Sequence, residues 1–304
     1  MLDQLYIPIK SDISTGPSIE EKVSDYFSGN ILDEGEIGTH TNIACVIHGP
    51  FSMFDLKGVL DPESVPERTR SDLSSEINLL ASALPQGKRF LEAYNSSRNS
   101  TPCDLFGYQP FGLGLTANEE VNAVDFLSLF LMKISIELNR LGHTGSRYVV
   151  LHPDALFFPG GNDEVGLQQM VRVYDEFAKI LGLMIVYENV VFKNPKYFNN
   201  VPWAMDPTFL IRIVGESKSS GVCLDLSHLL QTFEMSSRKS SDAGKLSYHI
   251  VQSCGRNASP LVLHARQGNE KSGGIDSTHS VFGETIRLAY KNAIPVVYEP
   301  DSRA

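Results

Sequence analysis

Five short runs of β-branched and aliphatic residues in this chain each end on a side chain that binds metals. They read NIACVIH to His48, RYVVLH to His152, LMIVYE to Glu188, GVCLD to Asp225 and PLVLH to His264. A sixth, AIPVVYE, ends at Glu299. Parallel strands buried on both faces read as such unbroken apolar runs. In a closed parallel barrel the carboxyl ends of successive strands open into one mouth. The pattern therefore predicts that these residues, far apart in sequence, gather at one end of a single cylinder.

Size and composition allow that architecture. The chain has 304 residues, and a (β/α)₈ barrel needs roughly 250. Its longest apolar stretch, 126–136, is interrupted by Ser128, Lys133 and Ser135 and falls short of the ~20 residues a membrane span needs. The start, MLDQLYIPIKSD, has no basic region followed by an apolar core, so no signal peptide is expected and a cytoplasmic setting is. Cys45, Cys103, Cys223 and Cys254 show no C-x-x-C spacing and read as free thiols in a reducing compartment. The net charge of −10 disfavours a broad basic nucleic-acid face. It leaves room for a local one, because bound divalent cations add positive charge where a phosphate would sit.

Along the chain, strand and helix patterns alternate. Strands are expected at 6–10, weakly at 30–37, and at 43–48, 147–152, 183–188, 221–225, 260–264 and 294–299. Helices are expected at 18–27, 117–142 (with Gly142 as its stop), 163–181, 206–215, 228–235, 242–254 and 280–291. This is the signature of one α/β domain over 1–304, a TIM (β/α)₈-type barrel. Two departures stand out. A long insertion after the third strand, 53–116, is rich in Pro, Ser and Gly with one helical piece at 68–83, and reads as a lid. The chain also stops five residues after Glu299, so no eighth helix is expected and a second copy of the chain is one way to cover the gap.

A lone His at a strand end is more often a hydrogen-bonded structural residue, and a lone Asp or Glu there is commonly a helix cap. Those readings fit residues one at a time; they do not fit a whole set in chain order. His40, His143 and His249 stand apart from the set and read as surface residues.

The order and local sequence of the set resemble the endonuclease IV branch of the xylose-isomerase-like barrels. The resemblance is carried by IHGPF at His48, LHPDAL at His152, YENV at Glu188, DLSH with Asp225 and His228, LHARQ at His264, GIDSTHSVFGE with Asp276, and YEP at Glu299. It covers residues 40–52 and 145–299. It implies two or three divalent cations: one on His48, His152 and Glu188, a second on Glu188, Asp225, His264 and Glu299, and a third on His228 and Asp276. Where that family has a further histidine, this chain has Thr278, and His279 takes its place only if the backbone turns differently. The resemblance also gives Phe51 the place of an aromatic that wedges into DNA. Arg266, on the loop after His264, is a candidate for holding an anionic substrate.

Imidazole and carboxylate together suit zinc first, then manganese or iron, rather than calcium. One carboxylate shared by two cations holds them roughly 3.5–4 Å apart, a spacing suited to clamping a phosphate. Asn189 and Ser227 stand where groups orienting the ligands would be. The resemblance thus implies hydrolysis of a phosphodiester by water ionised at the metals, with damaged, abasic DNA as the specific substrate. Glu188 and Glu299 are the candidate catalytic carboxylates. Two alternatives share the barrel. A sugar or sugar-phosphate isomerase or epimerase would use a single metal on Glu188, Asp225, His264 and Glu299. A multinuclear iron oxidase would act on a peptide with O₂.

Overall fold

The computed structural model describes residues 4–8, 44–48, 70–100, 123–152, 164–191, 205–257, 259–266 and 281–299. Seven strands form one sheet: β1 (Gln4–Pro8), β2 (Ala44–His48), β3 (Arg147–Leu151), β4 (Met184–Glu188), β5 (Ser220–Asp225), β6 (Leu261–Arg266) and β7 (Val296–Glu299). Every neighbouring pair is parallel, and the spatial order is the chain order. Parts of β1 and β7 approach within 8 Å between Cα atoms, so the sheet curls into a nearly closed barrel.

Successive side chains on a strand point to opposite faces, and the two faces here form separate apolar clusters. Val46, Val150, Val186, Cys223, Val262 and Val297 form one, with Tyr148 packed against it. This is the barrel interior, filled as the interiors of such barrels are, with small branched residues. Each buried valine contributes roughly 1.5–3 kcal/mol. The alternate residues, among them Ile47, Val149, Ile185, Leu224 and Leu263, belong to the larger cluster beneath the helices.

The helical layer comprises α1 (Arg70–Ser82), α2 (Gly87–Ser100), α3 (Ala123–Arg140), α4 (Glu164–Leu181), α5 (Pro207–Val214), α6 (Leu226–Met235), α7 (Ser240–Asn257) and α8 (Gly283–Lys291). Helix α4 buries Leu167, Met170, Val171, Tyr174, Phe177, Ala178 and Leu181, the stripe that a 3.6-residue period lays on one face. Gly142 and Gly182 follow α3 and α4 in the left-handed region, each at φ 68°, where glycine carries no steric penalty. Helix α5 starts on Asp206, whose carboxylate accepts from the Thr208 amide at 2.9 Å, with Pro207 next. None of the described helices is long and apolar enough to cross a membrane.

Several expectations change. Seven strands, not eight, are described, and β1 pairs directly with β2, Gln4 opposite Ala44 and Pro8 opposite His48. The 18–27 and 30–37 elements lie outside the described residues. The insertion therefore follows the second described strand. Its described part, 70–100, contains two helices rather than one, and the rest of the insertion lies outside the described residues. Helix α1 packs on α3, and α2 packs on α1 and α4. Phe90 meets Phe177 with ring centroids 5.1 Å apart, and Tyr94, expected in polar flexible sequence, is buried. Lys133 of α3 pairs with Glu76 of α1 at 3.0 Å. His143 is also not a surface residue, being 1% exposed. The chain folds back after α3, so the His143 amide donates to the Leu138 carbonyl at 2.9 Å, while the Arg147 guanidinium donates to the His143 carbonyl. His249 lies on the exposed side of α7, as expected.

Two predictions follow from this packing. Phe90→Ala should destabilise the protein by about 3–5 kcal/mol in urea unfolding, the cost of emptying a packed aromatic site; a detached lid would give no change. Cys45, on β2, is buried, and burial pushes its thiol up to about 12. A thiol so protonated is a poor nucleophile, so iodoacetamide at pH 8 should leave Cys45 unmodified in the folded chain and alkylate it in denaturant.

Candidate metal centre

All seven strands run the same way, so their carboxyl ends share one end of the barrel. His48 ends β2, Glu188 ends β4 and Asp225 ends β5. His152 follows β3 by one residue, and His264 lies within β6 opposite Asp225. His48, Glu188 and His264 fall two residues beyond Val46, Val186 and Val262 on their strands. Strand parity therefore turns them into the same interior, one layer above the valines.

The arrangement centres on Glu188. Its Oε2 lies 2.9 Å from His48 Nε2 and 3.5 Å from His152 Nε2. Its Oε1 lies 3.4 Å from His228 Nδ1 and 3.7 Å from His264 Nδ1. The rings of His48 and His264 stack at 5.3 Å, and His152 stands edge-on to His48 at 5.5 Å. Asp225 reaches the group through His228, with Oδ2 3.5 Å from Nδ1. Within this cluster His48, Glu188 and His264 bring ligand atoms within 4.8 Å of one another, and so do Glu188, Asp225 and His228.

The cluster is dry. Glu188 is 2% exposed, Asp225 1% and His264 0%. Removing a carboxylate from water raises its pKa unless positive charge or donors compensate. For Glu188, burial acts upward, but His264, His152 and His48 outweigh it and hold the carboxyl well below the usual carboxylate range. Asp225 is less well served. Burial raises it, and repulsion from Glu188 adds to the rise, which His228 and His264 offset only in part. A divalent cation beside these groups would compensate both carboxylates at once. Three or more nitrogens and carboxylate oxygens within one cation's reach is also the donor chemistry that Zn²⁺, Mn²⁺ and Fe²⁺ bind. The residues present can hold a metal ion.

Neighbouring groups fix the ligands in place. Asp225 caps α6, its Oδ1 accepting from the His228 amide at 2.7 Å. Asn189 is fully buried. It donates from Nδ2 to the Asp225 carbonyl at 3.1 Å and accepts at Oδ1 from the Asp225 amide at 2.8 Å. Ser227, the other expected orienting group, is buried, and its Oγ has no hydrogen-bond partner among the described residues. Cavities of about 610 Å³, beside Leu84, Arg140 and Arg147, and of about 400 Å³, beside Arg172 and Arg212, open near the amino ends of the strands, away from this cluster.

Of the residues singled out in the sequence, His48, His152, Glu188, Asp225, His228 and His264 are brought together. The resemblance puts His228 on a separate third cation; in the structure it stands against Glu188 and Asp225. Glu299 ends β7 opposite Arg266 of β6, so both stand at the same end of the barrel. Phe51, Asp276, Thr278 and His279 lie outside the described residues. Asn189 is an expected orienting group, but the sequence does not show that its partner is the Asp225 backbone, to which it is joined by one donated and one accepted hydrogen bond. No family model matches this chain, and no curated protein matches it.

Metal titration tests the centre. Metal-free wild-type protein should bind Zn²⁺, because imidazole nitrogens and carboxylate oxygens are its usual donors. Glu188→Gln keeps the shape and removes the charge. It should weaken binding by at least about 100-fold in calorimetry, the upper end of what losing a mere supporting group costs.

Proposed function

We propose that this chain is a metal-dependent phosphodiester hydrolase of the endonuclease IV type, built on a xylose-isomerase-like barrel and acting on a phosphate-containing substrate such as abasic DNA. One observation carries the reading: both oxygens of Glu188 face imidazoles, Oε2 those of His48 and His152 and Oε1 that of His264. That is the environment of a carboxylate shared between two cations. A single-metal isomerase would leave His48 and His152 without a part to play.

In this reading His48, His152 and Glu188 hold one zinc, and Glu188, Asp225, His264 and Glu299 hold another. A third would rest on His228 and Asp276, with His279 as the remaining donor. When bound, such cations supply Lewis acidity and lower the pKa of a coordinated water toward neutrality. The protein's own share is positioning and exclusion of bulk water. Glu188, held below the usual carboxylate range, stays ionised at neutral pH and serves as a ligand and proton acceptor rather than a donor. The valine layer beneath it closes the barrel to water from below. Arg266 would meet the substrate's anionic oxygens, and Phe51 would pack against the nucleic acid.

Helices α1 and α2, the described part of the insertion, pack on the outer helical layer. The test is a metal count followed by an assay. Purified protein should carry two or three zinc ions per chain and incise an abasic duplex, with activity lost in EDTA and restored by zinc. A single ion with ketose–aldose exchange would favour the isomerase instead. Iron, colour in air and O₂ consumption would favour the oxidase.

A further inference from the structure

Strand β4 ends at Glu188, yet β5 runs two residues beyond the partner of Glu188, Cys223. The amide of Asn189 makes one more bond to the sheet, donating to the Cys223 carbonyl at 3.2 Å. Beyond that point the side chain of Asn189 takes over from the backbone. Its carboxamide offers Asp225 one acceptor and one donor, at 2.8 and 3.1 Å, the same pair that a further strand residue would offer. The main chain of β4 can therefore turn away while Asp225 stays tied to Glu188's strand.

The carbonyl of Asn189 makes a second connection. It lies 3.0 Å from His228 Nδ1. A carbonyl oxygen can only accept, so Nδ1 carries the hydrogen and the lone pair of the neutral ring sits on Nε2. The same N–H faces Glu188 Oε1 at 3.4 Å and Asp225 Oδ2 at 3.5 Å. Every acceptor around Nδ1 thus favours one tautomer. His228 cannot share the cation of Glu188 and Asp225 through Nδ1, although the three residues are close enough to form a ligand set.

We propose that Asn189 is a positioning residue of the centre: its side chain sets the separation of Glu188 and Asp225, and its carbonyl fixes His228 in the tautomer that presents Nε2. The consequence for metal binding rests on the metal-centre reading above; the hydrogen bonds themselves do not.

The experiment uses the full chain with ¹⁵N-labelled histidine and Co²⁺ as the probe. In metal-free wild-type protein, long-range ¹⁵N–¹H spectra, with His228 identified from a His228→Gln sample, should show its proton on Nδ1. Asn189→Ala should weaken Co²⁺ binding by about 10–100-fold, the usual cost of losing an outer partner, and shift the cobalt d–d bands. Ser247→Ala removes a buried hydrogen bond to Thr285 on the outer layer and serves as the control for general destabilisation; it should leave cobalt affinity and bands unchanged. A proton on Nε2 of His228 in the wild type overturns the proposal even if Asn189→Ala fails to fold. Wild-type cobalt binding that Asn189→Ala matches within about threefold, or that Ser247→Ala weakens as much, overturns it alone. No cobalt uptake by the wild type overturns the metal centre and this inference together.

Discussion

A carboxylate taken out of water must be given charge or hydrogen bonds in return, and Glu188 is the place in this protein where that demand is sharpest. An uncompensated buried carboxylate costs several kcal/mol or becomes protonated. Here it sits above a layer of valines, a surface that offers no hydrogen bond. Among the described residues its compensation comes from the rims of other strands, from His48 of β2, His152 after β3 and His264 of β6, with His228 facing it from the start of α6. Distant parts of the chain therefore meet at one ionised group, and the site exists only when the barrel is assembled.

The same demand explains the supporting structure. Asp225 is both a member of the cluster and the cap of α6, so one side chain serves strand, helix and site. Asn189 holds it from the other side through its own amide. Parallel strands make this economical, because β2, β4, β5 and β6 each contribute an inward-facing residue near the carboxyl end to one rim without a change of direction. The interior below can then remain purely apolar, which stiffens the walls to which the ligands are attached.

Much of the fold was legible because periodicity is a local property. The stripe 167, 170, 171, 174, 177, 178, 181 marks α4 whatever surrounds it, and runs such as RYVVL and LMIVY identify buried strands. Helix α2 was not legible. Its sequence, GKRFLEAYNSSRNS, is mostly polar, and Phe90 and Tyr94, four residues apart, carry its buried contacts. What makes that pair core residues is the presence of Phe177 and its neighbours on α4. His143 was missed for a similar reason: a polar residue after a helix stop is ordinarily exposed, and only the return of the chain into β3 encloses it.

By itself the sequence determined which strand ends carry imidazoles and carboxylates and that the strands are parallel, since both follow from residue type and local period. It also determined the stop at Gly142. Only the tertiary structure decided that four imidazoles face Glu188, that His228 turns its Nδ1 toward it, and that Asn189 ties two strands together. Those facts depend on the register between β4 and β5 and on hydrogen bonds made across the sheet. Register is set by the packing of whole strands against their neighbours, and no single run of residues carries it.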